Sequence, residues 1–198
     1  MQRQSVKTVS GGDMKNPGLI RFIFNDPRMA PIWAIIRVLV GLQWLSIAWP
    51  KLTDPAWVDG GAIVKGFWEN QVVVSETGRS AIYYDWYRDF LNFLIENDAH
   101  VFFCRVQPVV EVVIGVLFIL GAFVGLVGLT AGFLHVNYLL AGSAGQNTIL
   151  FPAAILLIAA WKIAGYYGLD YFIMRRVSTL WSPDADVNAN PAPVGGGD

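Results

Sequence analysis

Long apolar runs separated by short polar stretches set the pattern of this chain. The longest run covers residues 101–142, where Cys104, Arg105, Glu111, His135 and Tyr138 are the only ionisable side chains. One helical crossing of a bilayer needs roughly 20 apolar residues, so this run predicts two crossings rather than one. A soluble hairpin keeps one polar stripe on each helix, and residues 112–130 have none. The reading is a helical hairpin over about 101–122 and 128–145. Its turn falls in the patch containing Gly121, Gly125 and Gly128, where glycine supplies the positive φ of a tight connection.

An earlier apolar stretch, 31–49, predicts the first crossing. Pro31 suits a first helical turn and Pro50 ends the helix. A polar turn at 142–148 precedes a fourth apolar segment at 149–168, which closes on Tyr166 and Tyr167 as an interfacial aromatic belt. Between the first and second crossings, residues 81–97 alternate with a helical period. Tyr83, Trp86, Tyr87, Phe90, Leu91 and Leu94 fall on one face, and Asp85, Arg88, Asp89, Asn92 and Glu96 on the other. Residues 61–74 fit either a helix or a strand. Residues 18–24 form a short apolar segment around Arg21 that suits the headgroup region, followed by a turn at Asn25-Asp26-Pro27. Residues 1–17 and 177–198 are polar, Gly- and Pro-containing tails expected to be flexible. The expected fold is an all-α membrane protein, a four-transmembrane-helix bundle with a long outward loop carrying an amphipathic interfacial helix.

Composition agrees with this pattern. Charged residues make up 15% of the 198 residues, against about 25% in soluble domains. No small-residue cleavage site follows the first crossing, which therefore reads as an uncleaved anchor. A net charge of −1 leaves no basic surface for nucleic acid. A single cysteine, Cys104, excludes an internal disulfide and a C-x-x-C redox pair. Arg3, Lys7, Lys15, Arg21 and Arg28 precede the first crossing, and Arg175 and Arg176 follow the last. The loop between the first two crossings has four basic and eight acidic residues. The positive-inside rule then places both termini in the cytoplasm of a multi-pass cell-membrane protein, with the acidic, aromatic loop outside.

Charges within apolar segments are the sharpest chemical signal, since each costs at least ~2.5 kcal/mol on insertion scales. At about 1.5 Å of rise per residue, Arg37 and Lys162 share one level, and His135, Glu111 and Gln43 lie somewhat nearer mid-membrane. The economical arrangement points Arg37, Glu111, His135 and Lys162 inward, with Glu111 offsetting one of the cations. Snorkelling of Arg37 and Lys162 to the near surface is the bland alternative. The Gly121-x3-Gly125 and Gly128-x3-Gly132 spacings flank the turn and so shape the hairpin rather than drive dimerisation. The eight Trp fit aromatic girdles, or a flat surface that holds a quinone ring. His100 and His135 lie at different depths, which argues against bis-His haem. No cysteine cluster for iron–sulfur, no metal-ligand spacing and no phosphate loop appear.

Several short motifs, taken in order, carry a resemblance. These are Arg37-x3-Gly41, Lys51-Leu52-x-Asp54-Pro55, Glu111-x3-Gly115-x5-Gly121, Ala141-Gly142 with Asn147, and Gly168-Leu169-Asp170. Together they resemble the DoxX/DoxD membrane family over about residues 30–175. Trp57, Gly66-Phe67-Trp68 and Tyr87 in the long loop look more like the DoxD branch. That resemblance implies the membrane subunit of a thiosulfate:quinone oxidoreductase, oxidising thiosulfate to tetrathionate and passing electrons to membrane quinone. It also implies a second, DoxA-like subunit. Mapped onto this chain, Arg37, Glu111 and His135 are the expected groups for hydrogen bonding or proton transfer to quinone. Lys51, Trp68 and Lys162 are the substrate-binding candidates, with Lys65 or Arg79 as further cations for the sulfur anion. The acidic balance of the loop works against simple steering of that anion. Asn147 is expected to cap the fourth helix, and Asp170 to end it. Two other readings are a non-catalytic subunit that anchors a partner redox complex, and a small transporter.

Overall fold

In the computed structural model, residues 18–75, 78 and 80–180 are described, the last four by backbone alone. Residues 1–17 and 181–198 of the expected tails, and Arg79, lie outside them. The described residues are helical, with one isolated bridge between Val74 and Ser80. In chain order the helices are α1 (Gly18–Asn25), α2 (Ala30–Thr53), α3 (Pro55–Val58), α4 (Ala62–Val72), α5 (Asp85–Glu96), α6 (His100–Leu120), α7 (Val124–Leu140), α8 (Asn147–Ala159), α9 (Trp161–Ala164) and α10 (Leu169–Leu180). A single 3-10 turn, Pro27–Met29, joins α1 to α2. The helices Pro27–Thr53 and His100–Leu120 are long and apolar enough to cross a membrane; Val124–Leu140 and Asn147–Ala159 are apolar but shorter.

One core joins α2, α6, α7, α8 and α9 through Trp33, Val40, Phe118, Val127, Leu157 and their neighbours. Two helix pairs build it, α2 with α6 and α7 with α8. Glycine decides how close each pair comes. A Cβ on Gly41 would lie 2.8 Å from the Gly115 carbonyl oxygen, and one on Gly128 would lie 2.8 Å from the Ile158 side chain. Gly125 likewise faces Trp161. Gly125 and Gly128 are therefore helical packing positions, not parts of the turn as their clustering suggested. The turn is shorter, residues 121–123, with Gly121 at φ +67° and α7 beginning at Val124.

A second core lies at the opposite end of the long helices from this turn. Val64, Trp68, Ile82, Tyr87, Leu91, Cys104 and Ala141 join α4 and α5 to the adjoining ends of α6 and α7. The region 54–99 is thus a cap laid over the bundle, and its ambiguous part, 62–72, is helix. The periodic face expected over 81–97 is divided. Helix begins only at Asp85; Tyr87 and Leu91 are buried, while Tyr83 and Trp86 are exposed. Tertiary packing uses only part of an apolar face when the covering helix is short.

Two expected helix ends also move. Pro50 does not stop α2, which continues to Thr53. A proline in a last turn forfeits one backbone bond without ending the helix. The break comes at Asp54, extended at φ −81° and ψ 120°, because the residue before Pro55 is driven out of the α region. Asp54 then caps α3 by accepting from the Ala56 N–H at 2.9 Å. Beyond the fourth apolar segment, α10 carries helix to Leu180, into the tail expected to be flexible from 177.

Candidate functional site

Helical periodicity places the polar groups. On α6 the buried stripe runs His100, Cys104, Pro108, Glu111, Ile114, Gly115 and Phe118. On α7 it runs Val124, Val127, Gly128, Ala131, Gly132 and His135. Glu111 and His135 therefore face the interior because they stand where leucines would stand in an ordinary core. Trp44 takes the same role on α2.

Between these stripes and the cap lies a cavity of about 800 Å³, within the usual size of a small-molecule site. Trp44, Trp57, Phe67, Trp68, Phe103 and Phe133 give it aromatic walls. At its polar part the Lys51 ammonium donates to both oxygens of Glu111, at 2.6 and 2.8 Å. The Tyr138 hydroxyl donates to Glu111 Oε1 at 2.8 Å and Gln107 Nε2 donates to the same oxygen at 3.1 Å. The Glu111 side chain has no exposed surface, and that of Lys51 is 17% exposed. The ammonium also stands 5.0 Å from the Trp57 ring centroid, a cation–π contact that draws it toward the cap. Three donors, through four hydrogen bonds, thus hold a buried carboxylate, the condition under which such a group tolerates burial.

His135 stands beside this cluster. Its Nδ1 is 3.0 Å from Asn147 Oδ1, and its ring lies 4.8 Å from that of Trp44. Asn147 Nδ2 donates to the Ser143 carbonyl at 2.8 Å. Asn147 therefore does not cap α8 with its side chain; it bridges His135 to the α7–α8 turn. Gln43 and Gln146 close one rim through a 2.7 Å hydrogen bond. On the cap side the Tyr87 hydroxyl donates to the Asn137 carbonyl at 3.0 Å, tying α5 to α7. Burial pushes the Tyr87 phenol above its ordinary pKa.

Four expected site residues, Lys51, Trp68, Glu111 and His135, line this one cavity. Arg37 and Lys162 are elsewhere. Arg37 is fourteen positions from Lys51 on the same helix, about 21 Å along its axis. It donates from Nη1 to the Phe118 carbonyl at 2.7 Å and from Nη2 to the Tyr167 carbonyl at 3.2 Å. These are carbonyls that a helix end leaves without intrahelical partners, or that sit in the turn beside it. Lys162 is exposed, with its ammonium 5.5 Å from the Trp161 ring. The expected single band of four inward ionisable groups is thus corrected. Glu111 and His135 lie at one end, Arg37 at the other, and Lys162 outside. The cation that offsets Glu111 is Lys51, which the apparent helix stop at Pro50 had assigned to the loop.

Arg37 belongs to a second buried cluster at the turn. Asp170 accepts from the Phe123 and Val124 N–H groups at the start of α7, the latter at 2.8 Å. Its own N–H donates to the Gly121 carbonyl at 2.8 Å. Asp170 thus caps a different helix from the one it follows. Sequence reasoning missed Trp44, Gln107 and Tyr138. Gln107 is four residues before Glu111 and Tyr138 three after His135, so helical spacing was the available signal. Trp44 had none, being one indole among eight. No metal-binding cluster of His, Cys, Asp or Glu occurs among the described residues. Comparison with protein families, with curated proteins and with solved structures yields no match.

Proposed function

We propose that this chain is the membrane subunit of a thiosulfate:quinone oxidoreductase of the DoxX/DoxD kind, with quinone held in the Lys51–Glu111–His135 cavity. The observation that carries this reading is an aromatic-walled cavity ending on a buried carboxylate with a paired lysine. The residues present suit a quinone: flat apolar walls for the ring, and buried Trp44 Nε1 and His135 Nε2 without hydrogen-bond partners beside it. The resemblance motifs add support because they meet in space. Lys51 and Glu111, sixty positions apart, are in contact, Gly41 faces Gly115, and Gly168 packs on Gly121.

The chain spans the bilayer four times in this reading, through α2, α6, α7 and α8 with α9. Apolar side chains on the outer surfaces of these helices, such as Leu39, Val113, Leu126 and Ile155, are exposed as lipid contacts require. At 17 residues α7 is about 26 Å long, near the thickness of the hydrocarbon core. The cap faces outward, both termini are cytoplasmic, and a DoxA-like second subunit joins the outer face.

Joining two thiosulfate anions through a new S–S bond releases two electrons, which reduce a bound quinone with uptake of two protons. The chain's own residues then have defined tasks. The aromatic walls orient the ring and exclude water. Glu111 exchanges one of its three donors for the ligand and passes a proton at Oε1 or Oε2. Lys51 balances the carboxylate's charge until that exchange, and His135 offers its unpartnered Nε2 as a hydrogen-bond acceptor. Lys51 is occupied by Glu111, and Lys65 stands 3.5 Å from Asp98 at the surface. The sulfur anions are therefore assigned to the partner subunit's side of the cap.

The test is thiosulfate-dependent quinone reduction by the full chain in liposomes, with and without a co-expressed DoxA-like partner. Activity that requires both proteins and drops at least tenfold with Glu111→Gln supports the reading. Full quinone reduction by the partner alone leaves this chain an anchoring subunit and ends the proposal.

A further inference from the structure

The hydrogen-bond pattern around His135 specifies one atom. The Ser143 carbonyl can only accept, so the Asn147 amide must turn its nitrogen toward it, at 2.8 Å. The amide oxygen then faces His135 Nδ1 at 3.0 Å. An amide oxygen can only accept, so Nδ1 carries a proton. In the neutral ring, Nε2 is therefore a bare lone pair. It is buried and has no partner. The Trp44 indole, 4.8 Å away by ring centroid, has the opposite character. Its Nε1–H is a donor only, and it too is buried without a partner. Both residues line the cavity and are at most 1% exposed.

An unpaired buried polar group costs about 1–3 kcal/mol, and here one acceptor and one donor belong to neighbouring rings that both line the cavity. A carbonyl or ether oxygen satisfies only Trp44. A hydroxyl satisfies both, donating to His135 Nε2 and accepting from Trp44 Nε1–H. We infer that Trp44 and His135 form a hydroxyl-binding subsite, with Asn147 as the positioning residue that sets its polarity. This deepens the quinone reading and rests on that cavity being the ligand site. The ring form preferred here is the reduced, hydroxyl-bearing one. The Glu111 cluster is separate from this subsite, since its carboxylate is already met by Lys51, Tyr138 and Gln107.

The test is equilibrium binding to the full chain in detergent, using a short-chain hydroquinone and its dimethyl ether under anaerobic conditions. The two probes share a ring and differ in the hydroxyl hydrogens. The expected result is at least tenfold tighter binding of the hydroquinone. Trp44→Phe, which keeps an aromatic ring in the wall, is expected to cut that preference to about threefold. Asn147→Leu is expected to cut it similarly, and to change the nitrogen NMR signature of His135 from Nδ1-protonated to mixed. Equal binding of the two probes by the wild type overturns the inference. So does a His135 Nε2 signal indifferent to hydroquinone, which marks a structural water at that atom. Selective hydroquinone binding without thiosulfate turnover keeps the subsite and removes the reaction. Turnover without selectivity does the reverse.

Discussion

Each end of the bundle holds one basic and one acidic side chain that are buried or nearly so, and the two ends use them differently. At the turn, Arg37 and Asp170 bind main chain: carbonyls of 118 and 167 on one side, N–H groups of 123 and 124 on the other. At the cap, Lys51 and Glu111 bind each other beside open space. A charge held by fixed backbone serves the fold, and the one donor that Arg37 keeps free, Nε, is buried. A charge satisfied by side chains next to a cavity can exchange a partner, which is what chemistry requires. Charges enclosed among these apolar helices thus divide by what they touch.

The comparison breaks most severely if Arg37→Leu is tolerated. Losing that guanidinium leaves Asp170 and several carbonyls buried, and is expected to cost about 3–5 kcal/mol. Thermal unfolding in detergent and the yield of folded protein measure it; a normal melting temperature would reduce the turn cluster to decoration. Gly41→Ala sharpens the same end of the argument. Its Cβ meets the Gly115 carbonyl oxygen, so α2 and α6 must part, at about 1–3 kcal/mol. That parting also widens the cavity, so hydroquinone affinity falls with stability. Glu111→Gln is expected to act the other way round. Under the proposed function, quinone-linked turnover drops at least tenfold, about 1.4 kcal/mol of barrier, while unfolding shifts less than in Arg37→Leu because Lys51 can turn to the surface. Equal loss of stability in the two variants would erase the distinction between the ends. The smallest effect is expected for Tyr87→Phe, which removes one hydrogen bond between cap and bundle, about 1 kcal/mol. Faster hydrogen exchange confined to α5 checks it.

The helical class and the two long apolar helices were legible because their signal is local. A run such as 101–120 cannot satisfy its backbone in an apolar setting except as helix. Glu111 and His135 were legible for a related reason, as titratable residues in places that composition reserves for hydrocarbon. Lys51 was half legible. It was singled out, but Pro50 concealed that α2 continues through it and brings the ammonium over Glu111. The role of Asn147 was misread, since its place at the start of a helix suggests a cap.

The order of apolar segments, the period of their buried stripes and the presence of costly charges along them follow from the chain alone, because each depends on neighbours a few positions away. Which charge meets which depends on how four helices are stacked, and that is set by close contacts such as Gly41 on Gly115 and Gly168 on Gly121. Those contacts join residues tens of positions apart, so no local pattern encodes the pairing of Lys51 with Glu111 or the withdrawal of Arg37 to the far end. Tertiary packing alone separated a structural cluster from a candidate reactive one.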